Sequence, residues 1–144
     1  MTILTRRYRF CASHRLCSPA LSDERNRKVF GKCANRFGHG HNYYLEVRVE
    51  GDPDPRTGMT APREELDRLV AATVLSRIDH THLNSDLDEF RDLVPTAENI
   101  LVLIDSWLRR AWDKRFPDKG PRLAGLRLEE TPRNSCQIGS GNPT

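Results

Sequence analysis

The segment from Gly31 to Gly51, GKCANRFGHGHNYYLEVRVEG, concentrates side chains able to do chemistry. It holds Cys33, the pair His39 and His41, and then a run of alternating polarity. In an extended strand residues i and i+2 project from one face, so an H-x-H pair can share one metal ion. Neutral imidazole suits zinc, and three protein ligands with an open fourth position is the catalytic rather than the structural arrangement. The third ligand on this reading is His14, which shares parity with Phe10 and Ala12 at the exit of an earlier strand. His39 and His41 share parity with Tyr43, Leu45 and Val47 at the entry of theirs. If the two strands pair antiparallel, exit meets entry and the three imidazoles converge. An H-x-H pair alone is a weak sign, and an ordinary core or edge histidine is the competing reading for His14. The second pair, His80 and His82 in IDHTHLN, follows a helix, where the two need not face one way; for His82 an exposed turn is the simpler reading. Cys33 sits beside Gly31, Lys32 and Asn35, the surroundings of a nucleophile rather than of a buried small hydrophobe.

These residues must be held by elements that the periodicity predicts. Tyr8, Phe10, Ala12 and His14 lie on one side of a first strand. Residues 15–38 lack a clean period, and a connection that long is usually functional or disordered. The second strand runs from His39 to Glu50, followed by a turn at GDPDPRTGM. A helix over Pro62–Ile78 carries the stripe Leu66, Leu69, Val70, Val74 and Ile78. A second helix, with Thr96 as N-cap, carries Ile100, Leu103, Ile104, Trp107, Leu108, Ala111 and Trp112 and ends at Pro117 and Gly120. The strand LAGLRLEE places Ala124, Leu126, Leu128 and Glu130 on one parity, which brings Glu130 toward the histidine pocket. The segment SCQIGSGNPT supplies one short strand before a frayed tail. Two helices between antiparallel strand pairs predict an α+β fold with the helices on one face of the sheet.

With 144 residues the chain is the size of one domain, so residues 1–144 are read as a single unit. The net charge of +3 is scattered, apart from a cluster at DERNRK, which fits a small anion better than a nucleic-acid groove, or a solvated loop. No apolar run approaches the ~20 residues that cross a bilayer, and the first residues lack a signal-peptide pattern. A cytoplasmic location with four reduced cysteines is therefore expected, with neither membrane nor nucleic acid as partner.

The pieces FCASHRL, LSDERNRKVFGKCANRFGHGHNY, DPRTGM, IDHTHLN, PTAENI and EET occur in one order across residues 8–131. In these the chain resembles the 6-pyruvoyl-tetrahydropterin synthase family, which also includes 6-carboxy-tetrahydropterin synthases. The resemblance implies a tunnelling fold (T-fold): a four-stranded antiparallel sheet with two helices on one face, three subunits closing a β-barrel, and two such rings stacking into a homohexamer with active sites between subunits. It implies one Zn2+ per subunit on His14, His39 and His41. It also implies a catalytic triad of Cys33, Asp79 and His80, a pterin anchor at Glu130, and further pocket residues at Thr96, Ala97 and Glu98, although Glu98 could instead complement its helix N-terminus. The implied reaction is a lyase step from 7,8-dihydroneopterin triphosphate to 6-pyruvoyl-tetrahydropterin and triphosphate, in tetrahydrobiopterin-type biosynthesis. Arg15, Lys32 and Arg36 are the candidate cations for the triphosphate.

Five residues separate Cys33 from His39, as in the pyruvoyl-forming branch; the 6-carboxy branch of queuosine biosynthesis, which usually has three, is the alternative. Folate-bypass relatives carry a glutamate three positions before the first histidine, where this chain has Arg36. A non-catalytic, zinc-holding T-fold oligomer is the remaining reading.

Overall fold

The computed structural model describes residues 1–139. Two long strands, β1 (Thr2–His14) and β2 (His39–Gly51), pair antiparallel along their whole length, with His14 opposite His39 and Ala12 opposite His41. The pairing expected from parity therefore holds at the residues that matter. On the far side of β2 lies β4 (Arg122–Thr131), and outside it β5 (Asn134–Gly139), both antiparallel to their neighbours. The tail expected after β5 lies outside the described residues.

One face of the sheet carries Phe10, Tyr43, Leu45, Val47, Leu126 and Leu128, all buried. Against it pack α2 (Arg63–Val70), which passes through a π-helical turn (Ala71–Leu75) into α3 (Ser76–Ile78), and the long α5 (Ala97–Arg115). The predicted stripe of the first helix is buried at every position, although Pro62 precedes the helix as its N-cap instead of forming its first turn. Thr96 caps α5, its hydroxyl accepting from the backbone N–H of Asn99 at 3.3 Å. The opposite sheet face is charged: Arg7 pairs with Glu129 at 2.9 Å and Arg127 with Glu46 at 3.5 Å.

The structure corrects the sequence reading in three places. First, the sheet has five strands in the order β3-β1-β2-β4-β5 and is mixed, not four-stranded and antiparallel. The extra strand, β3 (Thr81–His82), lies parallel to β1 at Ala12 and Ser13 and is followed by the short α4 (Leu83–Asp86). Two residues are too few to show an alternating pattern. Second, the connection from 15 to 38 contains a helix, α1 (Asp23–Phe30), and a 3-10 turn (Gly31–Ala34). The one buried residue of α1 is Asn26, whose side chain accepts from Ser18 N–H and donates to the Ser18 and Leu21 carbonyls. A helix held by hydrogen bonds to its polar side has no apolar stripe to read. Third, the β2–β4 register shifts at Ala124, which is left over as a bulge between Leu123 and Gly125. Leu123, not Ala124, continues the core-facing row beyond it.

Candidate functional site

The ends of β1 and β2 bring three imidazoles together. The ligand-capable nitrogens of His14, His39 and His41 all lie within 4.8 Å of one another. His14 is fully buried, and its Nδ1–H donates to the Pro95 carbonyl at 2.7 Å. That bond turns the Nε2 lone pair inward, where it lies 3.1 Å from His39 Nε2. His41 Nε2 is buried and, among the described residues, has no hydrogen-bond partner. A buried polar atom without a partner is costly, and a shared cation would satisfy it. Burial pushes His14 and His41 below the usual imidazole range, the Pro95 carbonyl and Glu130 partly offsetting it for His14 and Glu130 for His41. Both are thus neutral, as metal ligation requires. The donor set, its tautomer and its charge state fit one zinc ion.

The loop that leads into His39 is shaped for this approach. Gly38 has φ +73°, and a Cβ built on it would stand 2.5 Å from the His14 carbonyl oxygen. Only glycine lets the chain enter β2 this close to the end of β1.

Glu130 reaches the same place, with Oε2 3.9 Å from His14 Nε2, and it accepts from Asn134 Nδ2 at 3.2 Å. Pro95, just before α5, adjoins the pocket through its carbonyl, and Ala97 is buried in the core. Thr96 is occupied with capping α5, and Glu98 is exposed in the first helical turn. Burial, then Glu98 and Glu130, push the Cys136 thiol on β5 up to about 11. Tyr43 is a member of the pocket that was read from sequence as core alone. Its hydroxyl lies 3.4 Å from His14 Nδ1, and burial together with Glu130 holds it well above the usual phenol range. The available signal was its parity with His39 and His41.

Cys33 is half-buried in the 3-10 turn, whose position is set by Leu16 N–H donating to the Cys33 carbonyl at 2.8 Å. Asp79 and His80 are held along the outer edge of β1, where His80 lines one concavity with His41. Asp79 Oδ1 accepts from Cys11 N–H at 2.9 Å, His80 N–H donates to the Cys11 carbonyl at 2.6 Å, and His80 Nδ1 lies 3.0 Å from Asp79 Oδ1. His80 has φ +59°, sparsely populated for a residue with a Cβ, and its side chain is 80% exposed. Among the described residues no hydrogen bond or ion pair joins Cys33 to Asp79 or His80. The subunit thus brings the three metal-type ligands together with Glu130, and it pairs His80 with Asp79. His82 is not an exposed turn residue: it lies in β3, half-buried, its N–H donating to Asp86.

Fold and site together define an α+β protein with a three-histidine centre and a carboxylate at the mouth of an antiparallel strand pair. Residues 3–140 match the family model described as 6-pyruvoyl tetrahydropterin synthase, and the chain belongs to that family. It is 43% identical over 136 residues to the 6-pyruvoyl tetrahydrobiopterin synthase of Drosophila melanogaster, covering 93% of this chain and 77% of the relative. Identity to the Homo sapiens protein of the same name is 46% over 101 residues, 70% of each chain. The solved structure of Caenorhabditis elegans 6-pyruvoyl tetrahydropterin synthase superposes with a TM-score of 0.84 at 33% identity, covering 97% of this chain and 96% of that one.

Proposed function

We propose that the protein is a 6-pyruvoyl-tetrahydropterin synthase, a carbon-oxygen lyase that converts 7,8-dihydroneopterin triphosphate to 6-pyruvoyl-tetrahydropterin and triphosphate. The observation that carries the reading is the convergence of His14, His39 and His41 beside Glu130 in a chain of this family. On this reading the three histidines hold one Zn2+ per subunit. Such an ion supplies Lewis acidity toward the side-chain oxygens of the substrate.

The remaining roles fall to the chain's own groups. Glu130 accepts from the paired N–H edge of the pterin, as a carboxylate does from a guanidinium. Cys33, as thiolate, takes a proton from a side-chain carbon, and His80, oriented by Asp79, returns one. No redox cofactor is required, because hydrogens are rearranged within the substrate. Thr96, Ala97 and Glu98 at the start of α5 shape the pocket wall.

On this reading Cys33 and His80 meet across a subunit boundary, and a neighbouring subunit completes the working site. Supporting this, β1 is paired on its outer edge only at Ala12 and Ser13, and the outer edge of β5 has no partner among the described residues. Unpaired edges favour ring closure. A trimer closing a β-barrel, doubled to a homohexamer, satisfies both edges. Among the described residues no helix is long and apolar enough to cross a membrane, and the proposed setting is the cytoplasm.

The test is incubation of the purified protein with 7,8-dihydroneopterin triphosphate and identification of the products by mass. The pyruvoyl product with free triphosphate supports the reading. A 6-carboxy product identifies the queuosine branch, and absence of turnover identifies a non-catalytic oligomer.

A further inference from the structure

Glu130 does not sit on a regular ladder. Glu129 pairs with Ser135 and Thr131 with Asn134, so Glu130 is left over as a bulge where β4 gives way to β5. Bulges re-aim side chains, and this one divides two neighbouring carboxylates. Glu129 meets Arg7 at 2.9 Å on the charged face of the sheet. Glu130 turns the other way, its side chain 12% exposed, with Oε2 3.9 Å from His14 Nε2. Asn134 opens β5 with the parity of Cys136 and Ile138, both packed against the core, and so stands on the same face as Glu130. Its Nδ2 donates to Glu130 Oε1 at 3.2 Å. Oε1 is thus held from β5, while Oε2 faces the end of β1.

Asn134 is exposed and does not titrate, so its effect on the site runs through Glu130. What it controls is rotation. The last torsion of a glutamate side chain is broad rather than staggered, so a carboxylate without a partner samples many planes. Accepting two parallel N–H bonds demands one plane. Ordering that plane at the moment of binding costs affinity, and a donor already fixed on Oε1 removes the cost beforehand. Oε1 keeps a second lone pair for the ligand. We propose that Asn134 is a positioning residue, which fixes the plane of the Glu130 carboxylate and so sets the affinity of the site for the pterin ring. The proposal rests on the reading of Glu130 as the pterin anchor given above.

The test is calorimetric titration of 7,8-dihydroneopterin into the zinc-loaded, full-length protein; lacking the triphosphate leaving group, this ligand binds without turnover. Asn134→Ala should weaken binding about three- to ten-fold, the scale of one net hydrogen bond. Asn134→Asp keeps the shape of the side chain, removes the donor and sets a like charge beside Oε1, so it should weaken binding at least as much. Zinc content should equal the parent's in both variants. Arg133→Gln alters the exposed side chain next to Asn134 in the same hairpin and should change binding by less than about two-fold. In a Glu130→Ala background, where no carboxylate is left to orient, Asn134→Ala should add less than about two-fold. Equal losses with and without Glu130 would show a structural effect of the hairpin and overturn the proposal, as would lost zinc. Parent-like binding in both Asn134 variants, with Glu130→Ala weakened, would overturn the positioning role and leave the anchor standing. Parent-like binding in Glu130→Ala would overturn the anchor, and the proposal with it.

Discussion

Replacing Gly38 by alanine should damage the protein through two separable costs. The first is conformational: an L-residue at φ +73° pays roughly 1–2 kcal/mol for placing Cβ against its own backbone. The second is a collision, because the new Cβ would stand 2.5 Å from the His14 carbonyl oxygen, and no rotamer can relieve a backbone contact. To bring the pair beyond 3.0 Å, the start of β2 must move away from the end of β1, a form of overpacking that costs about 1–3 kcal/mol. A smaller gain of about 0.4–1 kcal/mol comes from stiffening the unfolded chain. Gly58 provides the control: its φ is +70°, but nothing lies within 4 Å of its Cβ position. The conformational and unfolded-state terms therefore cancel between the two variants. Gly38→Ala should be less stable than Gly58→Ala by the collision alone, about 1–3 kcal/mol. Denaturant unfolding of both metal-free variants at one protein concentration measures the difference. Zinc titration should show weaker binding in Gly38→Ala only, because the movement carries His39 away from His14. Equal stability loss in the two variants, with unaltered zinc affinity, would refute the claim that this glycine sets the spacing of the histidines.

The parent is expected to hold about one zinc ion per chain; alanine at His14, His39 or His41 should each lower this well below the parent, whereas His82→Ala should retain it; metal analysis of the four purified variants decides. Cys33→Ala should keep zinc and bind substrate but lose about two to four powers of ten in the chemical step. Glu130→Gln should instead weaken substrate binding by about 1.5–3 kcal/mol, so turnover and direct binding measured side by side must separate the two. Away from the site, Asp67 accepts from Arg6 at 2.6 and 3.1 Å and from the Tyr8 hydroxyl at 2.7 Å, tying α2 to β1. The Arg6 hydrogen bonds hold the Asp67 carboxyl below the usual carboxylate range. Its contribution is therefore present above the unfolded value near pH ~3.9 and is lost as pH falls through the lower folded one. With 40% of the Asp67 side chain exposed, Asp67→Asn should cost only about 1 kcal/mol at pH 7 and flatten the acid limb of the stability curve below about pH 4.

The amino-acid order by itself determined which residues share a face. Period-2 alternation from Tyr8 to His14 and from His39 to Val49 decided that the three imidazoles lie on the core side of two strands. The stripes of α2 and α5 decided what covers that side. These patterns are legible because burial of one face imposes them residue by residue. Tertiary structure decided everything that depends on polar contacts or on pieces too short to repeat. Helix α1 is held by Asn26 through hydrogen bonds to the Ser18 and Leu21 backbone, so no apolar period announced it. Strand β3 owes its place to two residues docking beside Ala12 and Ser13. The bulge at Ala124 moved Leu123 onto the core face, because one unpaired residue inverts every parity beyond it. The placement of Cys33, Asp79 and His80 was likewise invisible, since all three belong to irregular segments held by hydrogen bonds to distant backbone: Cys33 to Leu16, and Asp79 and His80 to Cys11.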